Sequence, residues 1–175
     1  MAKTESSLVV SDAEPLIHLD ELGCLDLLSG LGGVLVPSEV WSEVSRHRPQ
    51  LSLGGLPGVQ VVQAAVGYPP SARLATMSSS FGLDAGENAA LALMEELSAR
   101  LLLCDDAAAR LAAESLGFAV RGTIGILVRS IRVAARTRQE VLDILLRLPQ
   151  ESSLHISRQL LDSVIDELRR EPNPG

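Results

Sequence analysis

Asp12 directly follows the apolar run Leu8-Val9-Val10-Ser11, and Asp105 directly follows Leu101-Leu102-Leu103-Cys104. Carboxylates in such positions project beyond the carboxyl ends of buried parallel strands, where open sheets bind their ligands. Glu43 lies on the helix expected after the second strand, and Asp84 and Glu87 open the helix expected before Leu101. Brought together, these groups repel one another, and such a cluster ordinarily needs a cation. Mg²⁺ and Mn²⁺ are hard, oxygen-seeking ions that suit a set of carboxylates. An ion so held makes water a better nucleophile and offsets the charge of a phosphodiester under attack.

Each of these residues also has a purely structural reading. Asp84 is a good helix N-cap, and Glu87, three residues on, could complete a capping interaction. Asp106 reads as the cap of the helix Ala107 to Leu116. Glu43 alone would be a solvated helix residue, whereas Asp12 and Asp105, set after buried strands, favour function. Asp20, Glu21, Glu95, Glu96 and Glu114 read as solvated faces, and His18 and His155 as structural or surface residues.

The elements that must position these groups follow from hydrophobic runs and stop signals. Strands are expected at Leu8 to Ser11, Val34 to Val36, Val59 to Val62, Leu101 to Cys104 and Phe118 to Val120. Pro15 opens a helix from Leu16 to Leu22, and Leu25, Leu27 and Leu28 suggest a second short helix closed by Gly30, Gly32 and Gly33. Ser38 is the expected N-cap of a helix ended by Arg46-His47-Arg48-Pro49. Tyr68-Pro69-Pro70-Ser71 reads as a turn and Ser78-Ser79-Ser80-Phe81-Gly82 as a loop. Helices are expected at Ala85 to Leu97, Ala107 to Leu116, from Thr123 through Ile131, at Arg138 to Leu148 and at Ser157 to Arg169. Strands alternating with helices predict an α/β domain with a mainly parallel sheet. One domain is expected over residues 8–170, with frayed ends at 1–7 and 171–175.

Composition narrows the chemistry. With 46% hydrophobic residues among 175, the chain can bury a real core, built from aliphatic side chains because aromatics are scarce. Two cysteines outside any CxxC argue against a disulfide framework or a zinc site. No apolar run is long enough to span a membrane and no signal peptide is evident, so a cytoplasmic protein is expected. The net charge of −7 opposes broad nucleic-acid binding, so any RNA contact must come from local basic patches. Arg46 and Arg48 form one such patch and Arg129, Arg132, Arg136 and Arg138 another; helix-dipole complementation or a solvated face are the structural alternatives. Lys3 is the only lysine, which excludes a phospho-acceptor receiver domain and weakens a haloacid-dehalogenase-type phosphatase. Gly30, Gly32 and Gly33 precede a strand instead of following the first one, so a dinucleotide-binding fold fails.

Five segments occur in a telling order: Val10-Ser11-Asp12-Ala13-Glu14-Pro15-Leu16-Ile17; Val36-Pro37 with Val40-Trp41-Ser42-Glu43-Val44; Leu83-Asp84-Ala85-Gly86-Glu87-Asn88-Ala89-Ala90-Leu91-Ala92; Leu101 to Asp106 with Ala109-Arg110; and Gly122-Thr123-Ile124-Gly125-Ile126-Leu127. Together they resemble the PIN-domain superfamily, in particular a prokaryotic branch related to VapC-type toxins. The resemblance implies a three-layer α/β/α fold with a short central, mainly parallel sheet. It also implies an acidic pocket for Mg²⁺ or Mn²⁺ and cleavage of single-stranded RNA. Homodimers are frequent in such proteins, and toxin members are held by a small antitoxin. By matching positions, Asp12, Glu43, Glu87 and Asp105 would be the four catalytic ligands, with Asp84 competing for the third place. Thr123 would orient a water or phosphate, or else cap its helix. Glu14 stands where these relatives usually carry Ser or Thr, and a carboxylate there would raise the pocket's proton affinity or hinder RNA. The rival reading is a PIN fold that binds protein or RNA without cleaving it. The four carboxylates favour the nuclease; Glu14 and the net acidity favour the binding module.

Overall fold

Val9 and Val10 are adjacent in the sequence yet both buried, so the first strand is covered on both faces. That is the signature of a parallel sheet enclosed between helical layers. The computed structural model describes residues 8–63 and 69–170; the expected frayed ends and the Tyr68 end of the expected turn lie outside the described residues. Strands β1 (Leu8–Ser11), β2 (Gly33–Pro37), β3 (Val59–Val62), β4 (Leu101–Leu103) and β5 (Ala119–Arg121) form one all-parallel sheet in the order β3-β2-β1-β4-β5. Eight α-helices connect and cover it: α1 (Ala13–Glu21), α2 (Ser38–His47), α3 (Ala72–Phe81), α4 (Ala85–Glu96), α5 (Ala107–Ser115), α6 (Thr123–Arg132), α7 (Arg138–Glu151) and α8 (Arg158–Arg170).

The result is the expected α/β/α sandwich. α1 packs on α2 and α6, α6 on α7, and α7 on α8, while α4 covers β1, β2 and β4 and α3 packs on α4 and α5. The core is aliphatic, with Leu16, Leu19, Leu91, Leu102, Leu127 and Leu145 all fully buried. Among the described residues no helix is long and apolar enough to cross a membrane.

Three local expectations are corrected, and the expected second short helix takes a particular form. Ser78 to Phe81 is not a loop but the end of α3, whose Leu74 is buried and whose Met77 and Phe81 pack against the core. Serine has modest helix propensity, and here the packed apolar stripe outweighs it. Ser38 is the first helical residue of α2, not its cap; Pro37 holds the cap position and the Ser38 hydroxyl donates to Glu39. α1 begins at Ala13, ahead of Pro15, because proline is tolerated throughout a first turn whose N–H groups have no helical partners. The segment Leu25–Leu31 winds as a 3-10 helix.

α3 is tied down at its start. The Ser71 hydroxyl accepts from the Leu74 N–H and donates to Glu95 on α4 at 2.6 Å, while the Ser71 N–H bonds the same carboxylate. Ser71→Ala should cost about 1 kcal/mol, read in urea unfolding as a lower midpoint with an unchanged slope.

Candidate active site

The strand order turns back between β1 and β4: the chain runs outward from β1 through β2 to β3, then returns to β4 on the other side of β1. The crevice beyond those two carboxyl ends is the place where such sheets bind ligands. Asp12 sits in it. Its N–H donates to the Leu103 carbonyl at 2.9 Å, extending the β1–β4 ladder by one residue, and only 4% of its surface is exposed. Asp12 occupies the N-cap position of α1 without a side-chain cap bond. Burial pushes its carboxyl up to about 7; the Ala13 N–H partly offsets this, and the charges of Glu87, Asp84 and Glu43 add to it. The Cys104 thiol lies 3.7 Å from Asp12 Oδ2, and its own burial, with the Asp12 charge, holds it far above the ordinary thiol range.

Glu43 reaches the site from α2. The gap it uses is Gly86 in the first turn of α4: a Cβ there would stand 3.1 Å from Glu43 Oε2 and 3.4 Å from Asp84 Oδ1. Asp84 and Glu87 form a capping box, in which Asp84 accepts from the Glu87 N–H at 2.9 Å and Glu87 accepts from the Asp84 N–H at 2.8 Å. Capping does not neutralise them. Burial pushes Glu87 up to about 7, aided by the Asp84 charge and by Asp106, whose carboxylate hydrogen-bonds it, against the lowering effect of the Asp84 N–H. Asp106 also caps α5 through the Ala109 N–H.

Asp105 is held from three directions. Thr123 donates its backbone N–H to Oδ1 at 2.8 Å and its hydroxyl to Oδ2 at 2.6 Å, and His18 Nδ1 donates to Oδ2 at 2.8 Å. The N-cap position of α6 belongs to Gly122, so Thr123 is neither that cap nor a free hydroxyl; it ties β4 to α6. A Cβ on Gly122 would come within 2.5 Å of Asp105 Oδ1, so a side chain there would force this carboxylate to move. The Arg110 guanidinium lies alongside, bonded to the Cys104 carbonyl. Glu14 faces the same pocket. Burial raises its proton affinity, the His18 charge lowers it, and Asp105, Asp106 and Glu43 raise it further.

The fold thus gathers Asp12, Glu14, Glu43, Asp84, Glu87, Asp105 and Asp106 into one electrostatic neighbourhood. His18 was not singled out by sequence reasoning, although it shares a face of α1 with Glu14 at i+4. The basic candidates part company. Arg48 is neutralised by Asp20 at 2.6 Å and Arg136 by Asp26 at 2.8 Å. Arg46 is exposed at the end of α2, and Arg129 and Arg132 lie along α6.

All the donors are carboxylate oxygens, Asp12, Glu14 and Glu87 are desolvated, and neighbouring carboxylates raise their proton affinity further, so the set fits a hard divalent cation. Among the described residues, no three acidic, His or Cys side chains are already gathered tightly enough to hold an ion directly. Mg²⁺ tolerates that arrangement because it keeps several of its waters.

An all-parallel α/β/α sandwich with a carboxylate pocket at its switch point defines the class. The chain belongs to the PIN-domain family: the family model DUF3368, a PIN domain, matches residues 8–170. PIN domains are typically nucleases, and these generally use divalent metal ions. We found no match among curated proteins.

The raised Asp12 carboxyl has a direct consequence for stability. Below its ordinary value of 3.8 it is protonated whether folded or not and costs nothing; as pH rises from there to about 7, ionisation favours the unfolded chain. Metal-free protein should therefore lose stability across that window. Asp12→Asn should be the more stable protein near pH 8 by on the order of 4 kcal/mol, with little advantage near pH 4, as thermal unfolding at both pH values would show.

Proposed function

We propose that this chain is a divalent-metal-dependent endoribonuclease acting on single-stranded RNA. The observation that carries the reading is the desolvated carboxylate of Asp12, fixed at the switch point of the sheet with Glu43, Asp84 and Glu87 around it. Among the described residues no arginine or lysine pairs with it, so a proton or a metal ion must offset its charge.

In this reading Asp12, Glu43 and Glu87 hold Mg²⁺ or Mn²⁺, and Asp105 completes the pocket as a carboxylate oriented by His18 and Thr123. Asp84 caps the helix start that carries Glu87, and Asp106 hydrogen-bonds Glu87 from the start of α5. A bound ion supplies a Lewis acid that lowers the pKa of water and offsets charge on a phosphodiester. Asp12 and Glu87, each pushed up to about 7, would have to be ionised to hold the cation, so its affinity should rise with pH through neutrality. A toxin's role, with a small protein as its restraint, is the setting that the VapC-type resemblance suggests.

Glu14 favours a second reading, a PIN fold that binds without cleaving. Its charge couples to Asp105, Asp106 and Glu43, so it adds to the negative charge that a phosphate would meet.

Calorimetric titration with Mn²⁺ separates the two. The nuclease reading expects binding by the wild type, none by Asp12→Asn/Asp105→Asn, and Mn²⁺-dependent cleavage of single-stranded RNA lost on Asp12→Asn with the fold intact. Equal cleavage by wild type and Asp12→Asn would expose a contaminant and remove the proposal. Absence of both binding and cleavage would leave the binding module.

A further inference from the structure

Arg121 is the last residue of β5 and stands immediately before Gly122, the residue pressed against Asp105. Its side chain turns back along α6. A Cβ on Gly125 would meet Arg121 Cγ at 2.8 Å, so the absent side chain of Gly125 makes the bed in which the arginine stem lies. Arg129 and Arg132 follow Gly125 by four and seven residues on the same helix face. They sit about 6 and about 10 Å farther along the axis. The three guanidiniums are close enough to act on one another: burial first, then the Arg129 and Arg132 charges, hold Arg121 below the ordinary arginine range.

Among the described residues, none of the three forms an ion pair with a carboxylate, whereas Arg48, Arg136 and Arg147 each do. Arg129 spends one N–H on the Gly30 carbonyl, and Arg132 is exposed. Complementation of the helix dipole accounts for Arg129 and Arg132 in the last turn of α6. It does not account for Arg121, which lies at the positive end of that helix. That leaves a cationic row with no carboxylate partner among the described residues, able to take an external anion.

We propose that Arg121, Arg129 and Arg132 form the track that holds the sugar–phosphate backbone of single-stranded RNA as it leaves the carboxylate pocket, with Arg121 as the anchor nearest that pocket. A row of planar guanidinium forks stepped along a helix suits a polymer with one anionic group per repeat. Such contacts set position without reading sequence. The choice of RNA rests on the nuclease reading, but binding on the track does not require cleavage.

The test is fluorescence anisotropy of a labelled oligouridylate with the metal-free protein, repeated across a salt series so that no cleavage intervenes. Arg121→Gln and Arg132→Gln should each weaken binding by roughly 3- to 10-fold and flatten the log–log salt slope by about 0.7. Gly125→Ala keeps every charge but displaces Arg121, and should also weaken binding; Arg170→Gln, on α8, should not. A triple variant at Arg121, Arg129 and Arg132 that is folded by circular dichroism yet binds with wild-type affinity and slope overturns the proposal. So does tighter binding of polyglutamate than of RNA. If the track binds RNA but Mn²⁺ never elicits cleavage, the track stands and the nuclease reading falls. If cleavage is intact and RNA affinity is indifferent to these arginines, the nuclease reading stands and the track falls.

Discussion

The backbone of Asp12 belongs to the sheet, and much of the molecule is arranged around that fact. Its N–H is spent on the Leu103 carbonyl at the one place where the strand order turns back, so the carboxylate cannot withdraw to water without breaking the ladder. A buried carboxylate of this kind is tolerated only as an acid or beside a cation. α4, α2 and the β4–α5 junction then bring further carboxylates to the same spot, which sharpens the demand. The pocket is therefore a place where the folded chain accepts an electrostatic cost, supported by a fully buried aliphatic core beneath it.

The carboxylates around Asp12 are not equivalent, and hydrogen bonding sorts them. Asp84 and Asp106 are occupied at helix starts. Asp105 is a joint: it fastens α6 through Thr123 and α1 through His18, and it holds the end of β4 between them. Among the described residues the Glu43 side chain makes no such structural bond, and Asp12 makes no side-chain cap bond to α1. The groups least committed to architecture are thus the ones that gain most from a cation. Glu87 stands between the classes, since its capping bond leaves it still crowded by Asp84 and Asp106.

The sequence made much of this legible because the signals are local. Short apolar runs ending in Asp mark β1 and β4, and Asp84 three residues before Glu87 marks the start of α4. What stayed hidden depends on contacts between distant segments. α3 lacks helix-favouring residues at its end and is specified by Leu74, Met77 and Phe81 meeting the core. His18 joins the site because β1 pairs with β4 and so sets α1 beside Asp105, 87 residues away in sequence. Arg121 reads as an unremarkable strand end until Gly125 is seen to leave room for its stem. Likewise, whether an arginine is free is invisible in one dimension: Arg48 and Arg132 differ by Asp20, a residue of α1.

The net charge of −7 is a poor guide to what this surface can hold, because charge acts over a short range. At physiological ionic strength exposed charges are screened beyond about 8 Å. A phosphate approaching the arginine face of α6 therefore feels chiefly the charges within that range, Arg121, Arg129 and Arg132 among them. At the pocket mouth the balance shifts to the carboxylates, which repel the same phosphate unless a divalent ion sits among them. On the proposed reading, acidic pocket and basic row would be two halves of one device: the row would hold the strand beside the pocket, and only a metal-loaded pocket would admit a phosphate. Glu14, whose charge couples to Asp105, Asp106 and Glu43, adds to that repulsion.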